Sequence, residues 1–278
     1  MNKFLKAAAA TTIALSLFGC GASTEEKDDK TLTIGATSAP HAIILEEAAK
    51  LMEEEGYTLE IKEFSDYPQI NPSTSDGSLD ANYFQHQPYL TSYNADEGFK
   101  EGDEGYLVSA GAIHYEPLGA YSKTIEKISL DTVKDGDQIV VPNDATNEAR
   151  ALLLLQDLGL IKLNDEATLD KATVKDIVEN PKNLEIVEIS AEQTAYKLDD
   201  VAIAVVNGNY ALTAEIDEFL RANESSDSEA AQTYQNVIAV REEDKDDEAV
   251  KELVKVLKSD EIKAFIEKEF GVAVVPAE

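Results

Sequence analysis

Apolar and polar positions along the chain follow two periods. TLTIGAT, residues 31–37, alternates every second residue, as a strand with one buried face does. In PHAIILEEAAKLMEEEGY, which follows, Ile44, Ala48, Leu51 and Met52 share one helical stripe, and Gly56 supplies a stop. TLEIKEF returns to the shorter period, so this region predicts a strand, a helix and a second strand. SLDANYFQ predicts a short strand entering HQPYL, and YLVSAGAIHYEPLGAYS predicts two extended segments broken at Pro117. DQIVVPND reads as a buried strand ending in a turn, ahead of a helix from about Asn147 to Leu158 that Gly159 closes. LEIVEIS, VAIAVVNG and NVIAV add three strands, and the second, almost wholly apolar, is expected at the centre of its sheet. Val250, Leu253, Val254 and Leu257, then Ile262, Phe265 and Ile266, mark two amphipathic helices near the C-terminus. Strands and helices alternating over this length predict an α/β architecture of mixed sheets covered by helices on both faces.

The N-terminal residues change the picture. Lys3 and Lys6 precede an apolar run from Ala7 to Phe18, then Gly19 and Cys20, the pattern of a secretory signal too short to cross a bilayer as a stop-transfer helix. LFGC resembles the lipobox of bacterial lipoproteins, which implies cleavage before Cys20 and lipid on its sulfur. Cys20 is the single cysteine, so the chain forms no internal disulfide. Residues 1–19 are therefore expected to be a signal peptide, and 20–30 a lipidated cysteine with a flexible tether, since GASTEEKDDK has nothing to bury. The expected location is extracytoplasmic, with the chain lipid-anchored to the cell membrane and not spanning it.

Charge excludes some partners. With 55 acidic against 24 basic residues the formal net charge is −31, which disfavours nucleic acid and tight electrostatic contact with anionic headgroups. One basic residue still asks for an explanation. Arg150 falls in the first turn of the helix expected from Asn147, where the helix dipole disfavours a cation unless an anion joins it. Asp144 or Glu148, close in sequence, would serve, and so would an anionic ligand.

DANYFQHQPYL, HYEPLGAYS, VPNDATNEARALLLLQDLGLIKL, VENPKNLEIVE, VNGNYAL and NVIAVREED, in that order, resemble the motifs of the NlpA-type methionine-binding lipoproteins, the substrate-capture subunits of a methionine ABC importer. The resemblance runs from about Thr31 to the C-terminus, and the lipobox agrees with it independently. It implies a two-lobed, periplasmic-binding-protein-like fold of the type II, Venus-flytrap kind, with a mixed sheet in each lobe. Residues 31–117 and 236–278 would form lobe one and residues 118–235 lobe two. L-methionine or a close derivative would lie between them and pass to the transporter's permease and ATPase; no catalysis and no cofactor are implied.

The resemblance also implies roles for particular residues. Asn147 and Arg150 would hold the amino-acid carboxylate, which a guanidinium can grip with two parallel hydrogen bonds. Tyr67, Phe84, His86 and Tyr89 would enclose the thioether, since sulfur packs favourably against aromatic edges. At least one of Asn207 and Asn209 would bond the ligand, although both also suit a turn. His114 would occupy a pocket position or make a hydrogen bond beside the hinge, while His41 is expected at a cap or the surface.

Two other classes remain to be weighed. His41, His86 and His114 with Glu116 offer imidazole and carboxylate donors suited to zinc or manganese, but without the close spacing of a helical metal motif. A methionine-containing dipeptide is a second possible ligand. No G-x-S-x-G elbow, P-loop or dinucleotide fingerprint is present to suggest an enzyme.

Overall fold

The computed structural model describes residues 30–225 and 229–277. The expected signal peptide, Cys20 and the tether up to residue 29 lie outside those residues. The N-terminal part contains β1 (Thr31–Thr37), α1 (Ile43–Glu54), β2 (Thr58–Phe64), α2 (Ile70–Ser75), β3 (Ala81–His86), α3 (Gln87–Glu97) and β4 (Leu107–Tyr115). The middle contains β5 (Gly119–Tyr121), β6 (Gln138–Pro142), α4 (Ala145–Asp157), β7 (Lys162–Leu163), β8 (Ile177–Glu179), β9 (Glu185–Ile189), α5 (Ala191–Thr194), β10 (Ile203–Val206), α6 (Gly208–Thr213) and β11 (Leu220–Asn223). The chain then runs through α7 (Glu229–Thr233), β12 (Gln235–Arg241), α8 (Glu248–Leu257), α9 (Asp260–Phe270) and β13 (Val275–Pro276).

Eleven of these strands form two mixed sheets, one in each lobe, and β7 pairs with β8 as a separate two-stranded antiparallel sheet. The first has the order β13-β4-β12-β3-β1-β2, with β1 parallel to β2 and β3, and β12 antiparallel to β3 and β4. The second has the order β11-β5-β10-β6-β9, with β6 parallel to both β10 and β9. Its apolar strand β10 is central and buried at all four positions, as its composition predicts.

Each sheet has its own core. Ile44, Ala48 and Met52 of α1, with Val250 and Leu253 of α8 and Ile262 and Ile266 of α9, cover Ile34, Tyr83 and Ile238 of the first sheet. Leu152 and Leu155 of α4 pack on Ile139 and Val141 of β6 and Ile203 and Val205 of β10. Burying an aliphatic side chain of this size is worth about 1.5–3 kcal/mol, so both sheets hold their helices by the stripes visible in the sequence. A third apolar cluster joins the lobes, combining Tyr67, Ile70, Leu79 and Phe84 with Val140, Val206 and Tyr210.

Two local differences from the sequence expectation bear on function. α4 begins at Ala145 with Asp144 as its cap, slightly earlier than expected. α3 was not anticipated as a helix, because only Leu90 and Asn94 of it are buried and no apolar stripe announces it. Its signals are terminal: a proline in the first turn and Gly98 after the last, at φ 76°.

Candidate functional site

The strand directions gather one end of each sheet at the junction between lobes. β3, β6 and β10 point their C-terminal ends there, the usual place for a ligand crevice in sheets with parallel strands. β12 runs opposite to β3 and β4, so its start joins the same edge, with Asn236 paired to His86 on one side and His114 on the other. The junction holds a small cavity lined by residues of both lobes.

One wall is aromatic. Tyr67, Phe84 and Tyr89 line it, with ring centroids 5.5 to 5.7 Å apart in each pairing. Tyr210 stands behind Tyr67 at 4.9 Å and was not singled out in the sequence, although it lies in the VNGNYAL motif.

The opposite wall is polar, and a chain of hydrogen bonds fixes its orientation. The Asp144 carboxylate accepts from the Asn147 backbone N–H and from its Nδ2, all at 3.0 Å. A carboxylate only accepts, so Asn147 must turn its Oδ1 the other way. That oxygen accepts from His86 Nε2 at 3.1 Å and Asn207 Nδ2 at 2.8 Å. His86 therefore carries its proton on Nε2, and its Nδ1 accepts the Tyr89 backbone N–H at 3.2 Å, capping α3. At the end of the chain Asn207 Oδ1 is left buried without a partner, as is Asn209 Nδ2, whose own Oδ1 accepts from Tyr67 OH at 2.5 Å.

Arg150 lies 3% exposed on this wall, and its anion is neither Asp144 nor Glu148. Glu224 receives the guanidinium side-on, with Nε 2.8 Å from Oε1 and Nη2 2.6 Å from Oε2. Nη2 also donates to the Glu116 carbonyl oxygen at 2.6 Å, and the Tyr234 ring lies 4.4 Å from the guanidinium carbon. Burial opposes the charge on Arg150, but Glu224 outweighs it and holds the pKa above its ordinary value. Nε and Nη2 are thus both engaged by Glu224.

The floor contains Glu116 and Asn236, neither of which was expected to meet an amino acid. Glu116 Oε1 lies 2.8 Å from His114 Nε2 and 3.3 Å from His41 Nε2. His114 is completely buried behind Glu116 and bonds Tyr83 OH, so it supports the cavity without lining it, contrary to a pocket position. His41 corrects the expectation of a cap or surface residue: it is 1% exposed and bonds Thr37 Oγ1 at 2.7 Å and Asn236 Oδ1 at 3.0 Å. Proline and the helix start beside it suggested a cap; a partner 195 positions away was not legible.

Burial makes all three histidines poor bases. It lowers His114 to about 3 and His41 to about 4, the latter despite the nearby Glu116. It lowers His86 to about 3, helped by the positive charge of Arg150. Burial also raises Glu116, partly offset by His41 and Arg150. At neutral pH the imidazoles are uncharged hydrogen-bonding groups. His41, His114 and Glu116 place three donor atoms within 4.8 Å of one another, but His86 belongs to the Asn147 chain and not to that cluster. The four-residue metal set considered from the sequence does not assemble.

Comparisons with known proteins agree with this architecture. The family model described as NlpA lipoprotein matches residues 32–278. The methionine-binding lipoprotein MetQ of Bacillus subtilis (strain 168) is 39% identical over 279 residues, covering 99% of this chain and 99% of that protein. A nutrient binding protein from Burkholderia cenocepacia, solved bound to methionine, is 43% identical with a TM-score of 0.81 and covers 89% of this chain and all (100%) of its own. An ABC transporter periplasmic substrate-binding protein from Coxiella burnetii is 39% identical with a TM-score of 0.78, covering 88% and 100%. With the family model spanning almost every described residue and a two-lobed fold shared with these structures, the chain belongs to the NlpA lipoprotein family.

Proposed function

We propose that this protein captures methionine between its lobes and delivers it to an ABC importer, acting as a binding protein and not as an enzyme. The observation that carries the reading is the two-walled cavity: an aromatic wall of Tyr67, Phe84 and Tyr89 faces an amide and guanidinium wall of Asn147, Arg150, Asn207 and Asn209. An unbranched thioether suits the first wall, where sulfur–ring contacts add about 0.3–1.5 kcal/mol each. An amino-acid head group suits the second, where Arg150 and the unpartnered Asn209 Nδ2 would meet the carboxylate. His86 belongs to both walls, since its ring packs near Tyr89 and its Nε2 holds Asn147. The relative solved with methionine supports the choice of ligand.

The lobe boundaries proposed are residues 31–117 and 236–278 for the first and 118–235 for the second, closing on the ligand as a flytrap. Lipid on Cys20 would tether the chain at the outer face of the cell membrane, beside the permease. Among the described residues no helix is long and apolar enough to cross a membrane.

The test is calorimetric titration of the full chain after unfolding and refolding to strip carried-over ligand. Methionine is expected to bind with 1:1 stoichiometry, and glycyl-methionine, norleucine and glutamine more weakly. Absence of a methionine signal, with tight binding of the dipeptide or of another amino acid, would overturn the ligand assignment.

A further inference from the structure

Resting on the proposed closure of two lobes around methionine, we infer that a groove on the far side of the hinge is a second contact surface between the lobes, which shuts as they part and so sets how tightly ligand is held. The groove is lined from both lobes: by Phe270 at the end of α9 with Val272 and Ala273 after it, and by Tyr121 of β5 and Leu220 of β11. Its place relative to the cavity follows from the two crossings. On the first, Glu116 lines the cavity while the next residue, Pro117, lines the groove. On the second, Glu224 grips Arg150 of the cavity wall while the preceding residue, Asn223, lines the groove. Gly208 borders both voids. The connecting segments thus run between the two, so a rotation about them that widens the cavity narrows the groove.

The side chains on the rims suit that second contact. Among the described residues four large hydrophobic side chains are exposed, and two of them, Val272 at 90% and Leu220 at 38%, line this groove from opposite lobes. Bringing one against the other takes apolar surface of both out of water. Asp217 and Glu269, both exposed, also line the groove, one from each lobe. Opening brings these carboxylates closer, and their repulsion opposes the apolar gain. The groove therefore holds a balance: apolar contact favours the open form and like charge disfavours it. A ligand enclosed by both lobes must work against whatever stabilises the open form, so groove residues act on affinity without touching the ligand.

The test measures methionine affinity by calorimetry, and the radius of gyration of the ligand-free protein by small-angle X-ray scattering, on the refolded full chain and three variants. Val272→Asp removes the apolar contact and adds a further carboxylate. It is expected to tighten methionine binding by about three- to tenfold, by reducing the open population, and to make the ligand-free protein more compact. Glu269→Lys sets a cation opposite Asp217 and favours the open form. It should weaken binding by about threefold at low salt, with the loss shrinking as salt screens the pair. Val178→Asp is the control: Val178 is 57% exposed on β8 and does not line the groove, so its substitution should leave affinity and size unchanged. Val272 and Glu269 are both exposed, and neither substitution is expected to impair folding. Wild-type affinity and scattering in Val272→Asp, or wild-type affinity in Glu269→Lys at low salt, would overturn the inference. Should the wild-type chain bind no methionine, the functional reading falls, and the scattering of ligand-free Val272→Asp against wild type still decides whether the groove governs opening.

Discussion

At the level of single residues, the side chain that most invited explanation in the sequence, Arg150, has a partner that local reading could not find. Glu224 lies 74 positions away and reaches the guanidinium only because the chain leaves the second sheet after β11 and returns to the first. Both members are almost completely buried, with side-chain exposures of 3% and 9%. Removing one partner of such a pair leaves the other uncompensated, so Glu224→Gln is expected to lower the unfolding free energy by about 3–5 kcal/mol. Replacing both, as in Arg150→Met with Glu224→Gln, should recover much of that loss, because desolvation of the ions is no longer required. Urea denaturation followed by circular dichroism reads both. The same variant examines the ligand role of Arg150. A methionine carboxylate can stand in for the lost Glu224, so methionine should stabilise Glu224→Gln by more than it stabilises the wild-type chain. Equal stabilisation of the two would mean that Arg150 never meets the ligand's acid group. Tyr67, Phe84, His86, Tyr89, Asn147, Arg150, Asn207 and Asn209 all line the cavity, while His114 stands behind it. Glu116 and Asn236 were missed as cavity-lining residues; Asn236 is adjacent to His86 and His114 only once β12 lies between β3 and β4.

At the level of elements, periodicity was a good guide wherever a strand or helix buries one face. β1, β2, β10, α1 and the two C-terminal helices carry their patterns openly, since their burial is what the pattern encodes. α3, β7, β8 and β11 were not legible, being short or buried at too few positions to show a period. The helix that matters most is α4, because its cap does two things. Asp144 satisfies the Asn147 backbone N–H and also sets the amide orientation that reaches His86 and Asn207. Asp144→Ala should therefore cost about 1 kcal/mol of stability, as cap removal generally does, and should also weaken methionine binding roughly tenfold by freeing Asn147 to rotate. Ser259 supplies the control: it caps α9 by accepting the Ile262 N–H at 3.3 Å, and it does not border the cavity. Ser259→Ala should lose similar stability with no change in affinity. If Asp144→Ala likewise leaves calorimetric affinity untouched, the cap is structural only and the proposed orientation chain has no bearing on binding.

At the level of the whole molecule, the two lobes are joined by chain segments that both meet at Arg150. The first crossing, from β4 to β5, passes Glu116 and Pro117, and Arg150 donates to the Glu116 carbonyl. The second, from β11 to β12, carries Glu224, and the same guanidinium holds its carboxylate. One side chain from the second lobe thus ties both connections in the conformation described. In that conformation Phe84 is 3% exposed and Asn209 3%, and parting of the lobes would open a solute's way to them. Opening of this kind falls in the μs–ms range. Stopped-flow mixing with methionine should show an observed rate that levels off with ligand concentration at the rate of opening. The chain has 11 tyrosines and no tryptophan, and Tyr67 and Tyr89 lie on the cavity wall, so tyrosine fluorescence is the natural signal. Glu224→Gln releases one of the two ties, and the plateau should rise in that variant. A rate climbing in proportion to methionine up to millimolar concentrations, alike in both proteins, would show that entry is ungated and that the ties at Arg150 do not restrain the lobes.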